Sequence, residues 1–265
     1  MRSGMQKKNR DRLMIPPAPQ FIIGGAPRSG TTWIYELLNK HPEIYMAKPV
    51  RPEPKFFLVD DLYERGFSYY QSTWFNGLEP GRMAGEKSTN YLENPAVAAR
   101  INQHLPHVKL IFILREPVDR AFSNYRWSVM NGYETHDFAT ALSLEEERER
   151  TLAAHLRFVR PHAYFSRGLY AELLKPFFSL FSQKQILCLR YEDLRDQPEI
   201  PTRLLHRFLE VEFRPHDADE LGVINASAKE SEGMTASLWS DLQSRYTEPN
   251  RALAALLGPD FKVWK

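Results

Sequence analysis

The chain has 265 residues, of which 43% are hydrophobic, and a formal net charge of +2 at pH 7. Near-neutral charge excludes a bulk nucleic-acid binder, and no apolar run approaches the roughly 20 residues of a membrane span. No linker-like stretch divides the sequence, so one large domain is expected rather than two small ones. Met1 to Arg12 is polar and basic and lacks the apolar centre of a secretory signal. Residues 1–17 are therefore read as a flexible lead-in and 18–265 as a single domain. Cys188, the one cysteine, sits in an apolar stretch. No intrachain disulfide is possible, Cys188 reads as a small core residue, and a reducing cytoplasm is the expected setting.

Phe21-Ile22-Ile23-Gly24 suits a buried strand, and Gly25-Ala26-Pro27-Arg28-Ser29-Gly30 breaks it into a loop. A helix then opens at Thr31, with Thr32, Trp33, Tyr35, Leu37 and Leu38 ahead of Lys40-His41-Pro42. A strand, a glycine loop and a helix N-terminus together make an anion site, because backbone N–H groups converge there and the helix dipole adds positive charge. Gly25-x-x-x-x-Gly30 has P-loop spacing, with Thr32 in the Ser/Thr slot. Thr31 stands where a P-loop nucleotidase has the lysine that reaches a triphosphate. The cradle is kept and that cation is lost, so a phosphate-like group other than an ATP tail is expected, with Arg28 as the replacement cation. The alternative is a glycine-rich turn that binds nothing.

Pro49 to Pro54 holds three prolines and reads as a loop. Lys55-Phe56-Phe57-Leu58 follows, and then Phe67, Tyr69, Tyr70, Trp74 and Phe75 at the spacing of a short helix with core-facing rings. Ala84 to Tyr91 reads as a short strand running into a loop, and Pro95 opens a helix to about Leu105. Lys109 to Leu114 is continuously apolar after its first residue, as a buried parallel strand is. Pro117 begins a helix through Ala121, Tyr125 and Met130. Phe138 to about Val159 is expected to be mostly helical, with Glu145 to Arg150 a solvated face. Gly168 to Phe181 is expected to be a helix interrupted near Pro176, Gln185 to Leu189 a third buried strand, and Ile200 to Leu209 a helix. Loop and helix mix after Asn225. Strands alternating with helices indicate an α/β fold, a P-loop-like central parallel sheet flanked by helices on both faces.

In such sheets ligands sit off the carboxyl ends of the strands. Arg28 follows the first strand, and Arg115 ends the second. Ser123 lies eight residues beyond Arg115, about two turns into the next helix, and Arg120 is on that helix. A planar guanidinium and a hydroxyl suit a second phosphate; the alternative is a surface arginine and an unrelated helix serine.

Pro27-Arg28-Ser29-Gly30-Thr31-Thr32-Trp33 resembles the 5′-phosphosulfate loop of sulfotransferases that use 3′-phosphoadenylyl sulfate (PAPS), and Arg115 to Ser123 resembles their 3′-phosphate motif. Glu53-Pro54-Lys55-Phe56-Phe57, Glu86-Lys87-Ser88-Thr89-Asn90-Tyr91 and Gly168-Leu169-Tyr170 are similar, in the same order, to segments of the heparan-sulfate glucosaminyl N- and 3-O-sulfotransferases. The resemblance implies in-line transfer of a sulfuryl group from PAPS to a hydroxyl or amine of a carbohydrate, glycolipid or natural-product acceptor, releasing adenosine 3′,5′-bisphosphate (PAP). It implies Glu53 as base, with Lys87 and Arg28 as catalytic cations. It places Arg28, Ser29, Gly30, Thr31, Thr32, Trp33, Arg115, Ser123 and Tyr170 on the donor, and Lys55 where the family can place a polar acceptor-side group. Apart from the resemblance, the aromatics around Trp74 and Trp127 can stack on a sugar or aglycone; the alternative, and the more common role, is core packing. No histidine has metal-ligand spacing, so no metal is expected; His162, like His136, can line an acceptor cleft. The family's late cysteine pair is absent, and its basic loop over the cofactor is only echoed at Ala228 to Gly233. The competing readings are a small-molecule kinase with an altered loop, opposed by Arg115 where a magnesium-holding aspartate is wanted, and a nucleotide-binding domain without activity.

Overall fold

The computed structural model describes residues 18–215, 221 and 234–264. Its centre is a five-stranded, all-parallel sheet in the order β2-β3-β1-β4-β5. The strands are β1 Phe21–Gly25, β2 Ile44–Met46, β3 Met83–Lys87, β4 Lys109–Leu114 and β5 Ile186–Arg190. Helices α1 Thr31–Lys40, α2 Asp60–Tyr63, α3 Phe67–Trp74, α4 Pro95–His104 and α5 Pro117–Met130 connect the first four strands and follow the fourth. After them come α6 Phe138–Ser143, α7 Glu145–Arg150, α8 Tyr170–Leu180, α9 Tyr191–Asp196, α10 Glu199–Leu209 and α11 Ala236–Leu257.

Side chains alternate across each strand, and both faces of the sheet are covered. Ile22, Leu110, Phe112 and Leu114 point to one core, shared with α3, α4 and α8. Phe21, Ile23, Ile111 and Ile113 point to the other, shared with α1, α9 and α10. That is why these strands read as unbroken apolar runs rather than alternating ones. The ring of Phe21 lies against Gly85, its partner across β1 and β3; a Cβ there would stand 2.0 Å from the ring. Only glycine lets β1 and β3 pair beneath that ring.

Several expectations need correction. β2 was not foreseen: three residues bounded by His41-Pro42 and Pro49 carry too little periodic signal. The stretch from Phe138 to Val159 is not one helix but α6, α7 and a 3₁₀ turn at Ala154–Leu156. Nor is its charge run simply solvated. Glu145 is buried and accepts from the backbone N–H groups of Phe165 (2.6 Å) and Ser166 (2.9 Å). Glu149 accepts from Arg160 Nε at 2.9 Å and from His162 N at 3.1 Å. These carboxylates fold the following loop against the body. Pro176 does not interrupt α8, which runs through it. Burial of Ala171, Leu174 and Phe177 against the core outweighs the roughly 3 kcal/mol that an interior proline costs. Cys188 packs against the first core, and burial pushes its thiol up to about 12. Ala228 to Gly233 lies outside the described residues. Among the described residues, no helix is long and apolar enough to cross a membrane.

Candidate active site

Strand order decides where chemistry can gather. The chain runs outward from β1 to β2 on one side and returns through β3, then fills the other side with β4 and β5. The direction reverses at β1, so its carboxyl end, flanked by those of β3 and β4, forms the crevice. Arg28, Lys87 and Arg115 all come from those three ends.

The loop after β1 is pinned to the sheet by the Ala26 N–H, which donates to Ile113 O at 2.8 Å. Gly30 ends it at φ 82, in the left-handed region that favours glycine, and is the N-cap of α1 without a side-chain cap. The first-turn amides of α1 therefore open on the loop. Ser29 Oγ is buried with no hydrogen-bond partner among the described residues. Arg28 turns back across the loop, its Nε donating to Ser123 Oγ at 3.2 Å. Arg115 Nη1 donates to Arg28 O at 3.1 Å. The two arginine-bearing strand ends thus face one crevice and touch. Burial lowers the pKa of Arg28, and the charges of Arg115 and Arg51 lower it further. No carboxylate pairs with it among the described residues.

α5 is launched beside this loop. Pro117 opens it, and Glu116 caps it by accepting from Asp119 N at 2.7 Å. Burial pushes the Glu116 carboxyl up to about 7. Ser123 and Asn124 then face inward from the second turn. Arg120 is fully buried and donates to Tyr164 O.

On the β3 side, the loop carrying Glu53 is anchored by Phe56 and Phe57, both in the core. The Lys55 N–H donates to Ser88 Oγ at 2.9 Å, and the Phe57 N–H to Tyr91 OH at 3.2 Å. These contacts set Glu53 over the end of β3. Its Oε1 lies 2.5 Å from Lys87 Nζ, and it accepts from Thr89 N at 3.1 Å and Thr89 Oγ1 at 2.9 Å. Both side chains of the pair are largely buried. Beneath them Glu86 is fully buried, and desolvation pushes its carboxyl up to about 8 against the hydroxyls of Tyr91, Tyr70 and Ser88. Burial also lowers the pKa of Lys55, whose Nζ sits 4.7 Å from the centre of the Phe158 ring.

Arg28, Glu53, Lys55, Lys87, Thr89 and Asn124 line one cleft of about 530 Å³. Arg28, Arg51, Lys55, Lys87 and Arg167 bring five cations to its wall, and Glu53 is the one carboxylate there among the described residues. Arg167 is partly neutralised by Glu93 at 2.9 Å. A cleft this cationic in a nearly neutral chain suits an anionic ligand.

The structure gathers Arg28, Thr31, Thr32, Glu53, Lys55, Lys87 and Trp127 around the cleft, with Ser123 and Arg115 bonded to Arg28 behind it. Three candidates are placed otherwise. Tyr170 is buried, and its hydroxyl donates to Arg115 O at 2.8 Å; it props the strand end instead of facing the cleft. Trp33 packs into the second core beneath the loop. His136 is exposed, lies off the cleft, and is tied down through its backbone, its N–H donating to Glu134 and its carbonyl accepting from Tyr125 OH. His162 is buried against Arg148, 3.3 Å from its Nη2, and Glu134. Arg51, Arg167, Tyr133 and Phe158 line the cleft without having been foreseen. Arg51 is two residues from Glu53 and Arg167 directly precedes Gly168-Leu169-Tyr170, so proximity to the motifs was their only signal. Among the described residues, no group of three or more His, Cys, Asp or Glu is placed to hold a metal ion.

The sulfotransferase domain family model matches residues 18–231. The chain is 25% identical to the membrane-associated sulfotransferase kil1 of Dictyostelium discoideum, over 92% of this chain and 66% of that one. It is 31% identical to mouse (Mus musculus) heparan sulfate glucosamine 3-O-sulfotransferase 3A1, over 72% of this chain and 45% of that one. It thus spans about half to two thirds of the length of these curated relatives. The crystal structure of a sulfotransferase from Alicyclobacillus acidocaldarius superposes with a TM-score of 0.77 at 29% identity, over 92% of this chain and 98% of that one.

Proposed function

The chain belongs to the sulfotransferase domain family, and on that premise we propose that it moves a sulfuryl group from PAPS to a hydroxyl or amine of a small-molecule or glycan acceptor. The observation that carries this reading is the Glu53–Lys87 pair, 2.5 Å apart, on the same cleft as the Arg28 loop. A carboxylate and two cations thus share one cleft with the loop after β1, which supports this reading.

The residues present fit a donor with two anionic ends. Among the described residues, Ser29 Oγ is buried without a partner and Arg28 is desolvated without a carboxylate. Both are costs that an anion in the loop would offset. PAPS supplies the activated sulfuryl group and leaves as PAP. The amides of Gly30, Thr31 and Thr32, with Ser29 and Arg28, would hold its 5′ end. Arg115 and Ser123 would hold its 3′-phosphate, drawing Ser123 Oγ away from Arg28.

Glu53 would take the proton of the acceptor, its carboxylate oriented by Thr89 N and Oγ1. A positioned base is worth about 10²–10⁴ in rate. Lys87 and Arg28 would stabilise the charge that develops on sulfuryl and leaving-phosphate oxygens, fixed in a partly desolvated cleft where no reorganisation is needed. A sulfuryl group carries less negative charge than a γ-phosphoryl group, so cations from the chain are sufficient for this role.

The test is transfer from ³⁵S-labelled PAPS to a broad acceptor panel. Label should pass to acceptors bearing free hydroxyl or amine groups. Transfer from γ-labelled ATP with Mg²⁺, and none from PAPS, would establish a kinase instead.

A further inference from the structure

On the wall of the cleft, Trp127 and Tyr133 form a stacked pair, centroids 5.6 Å apart and planes at 29°. Both line the cleft and both stay partly exposed, and Phe158 lines it with them. A stacked pair in a core hides both rings; this one stays partly exposed on the cleft that Glu53 also lines.

The pair is held in place by the turn that joins it. Gly132 reverses the chain at φ 74. The Tyr133 N–H donates to Ser128 O at 2.8 Å, and Asn131 Nδ2 donates to Trp127 O at 2.7 Å. Arg148 Nη2 donates to Tyr133 O at 3.2 Å, while its Nη1 pairs with the buried Glu134 at 2.5 Å. Glu134 also accepts from Tyr164 OH at 2.6 Å and from the backbone N–H of Thr135 and His136, at 2.9 Å and 3.0 Å. A buried ionic clamp thus fixes the turn, so the ring surface is ready before any ligand arrives.

The wall of one cleft therefore carries two chemistries: cations with the Glu53 carboxylate, and an aromatic shelf of Trp127 and Tyr133. Resting on the sulfotransferase reading above, we propose that Trp127 and Tyr133 determine specificity by holding a flat apolar face of the acceptor. The acceptor is then a ring-bearing molecule whose hydroxyl reaches Glu53 while its apolar face lies on the shelf. An arene and the C–H face of a pyranose share that chemistry.

The test is acceptor binding to the PAP-loaded protein by saturation-transfer NMR and titration. The probes are 4-methylumbelliferone, 4-nitrophenyl β-glucoside, methyl β-glucoside and a uronate- and sulfate-bearing disaccharide. At least one of the two arene-bearing probes should bind, and Trp127→Ala should weaken it about tenfold. Trp127→Phe should restore most of that affinity, and PAP affinity should be equal in all three proteins. Binding of methyl β-glucoside with the same Trp127 dependence would identify a sugar face as the occupant; binding confined to arene probes would identify an arene. Equal binding of the arene probes to wild type and Trp127→Ala would overturn the proposal, as would binding of the disaccharide alone or of no probe at millimolar concentration. If PAP itself fails to bind, the donor assignment falls instead. The same Trp127 dependence is then required of the arene probes on the free protein.

Discussion

In Glu53→Gln, turnover with PAPS is expected to fall about 10²–10⁴-fold, while affinity for PAP stays within about threefold. Glutamine keeps the shape of the side chain and can still accept from Thr89 N and Oγ1, so the loop stays where Phe56 and Phe57 anchor it. What is lost is a basic oxygen. The substitution also removes the counter-charge of Lys87, whose side chain is 3% exposed, and an ammonium left without its partner in such a place is destabilising. Melting temperatures must therefore be measured alongside rates. Glu53→Asp is the control, since it keeps the charge beside Lys87 and moves the carboxylate away from the acceptor. It should be more stable than Glu53→Gln and still slow. Single-turnover rates separate the chemical step from binding. Full turnover in Glu53→Gln would remove Glu53 from the role of base.

Arg115→Ala is expected to weaken PAP binding about 10²–10³-fold, some 3–4 kcal/mol, the cost of removing one partner from a buried charge-assisted contact. Adenosine 5′-phosphate, which lacks the 3′-phosphate, should lose less than about fivefold. This split separates two roles that the structure gives to Arg115. Its Nη1 steadies the Arg28 carbonyl at 3.1 Å, and its guanidinium lies 4.6 Å from the centre of the Tyr191 ring. If Arg115 served only as scaffold for the Arg28 loop, both nucleotides would weaken together. Arg115→Lys keeps the charge without the planar fork and should fall between wild type and alanine for PAP. Isothermal titration of both nucleotides against the three proteins measures this directly.

The strand, glycine loop and helix from β1 to α1 were legible because their geometry is local. Gly25, Gly30 and Thr32 keep their spacing along a few residues, and the flanking strand and helix announce themselves by apolar runs. The continuous run of β4 and the proline that opens α5 were readable for the same reason. Glu53 was different. Its carboxylate reaches Lys87 across 34 residues of sequence, and nothing local marks a glutamate among prolines as more than a loop charge. Only the order of several motifs, compared with a known family, singled it out.

What was misread came from tertiary packing overriding local pattern. Glu145 and Glu149 look like surface charges until the loop after α7 folds over and donates its N–H groups to them. Tyr170 begins its helix where expected, yet it spends its hydroxyl on the Arg115 backbone. The shelf tyrosine, Tyr133, was unforeseeable, because its position depends on a clamp that joins Glu134 to Arg148 and Tyr164 from three separate segments.

The central claim is that one doubly phosphorylated adenosine spans the two anion pockets. A crystal structure of the protein with PAP tests it most directly. The 5′-phosphate should lie on the amides of Gly30, Thr31 and Thr32, and the 3′-phosphate within hydrogen-bond distance of Arg115 and Ser123, with Arg28 released from Ser123. A nucleotide whose 3′-phosphate points to solvent, or one seated away from the loop after β1, would contradict it.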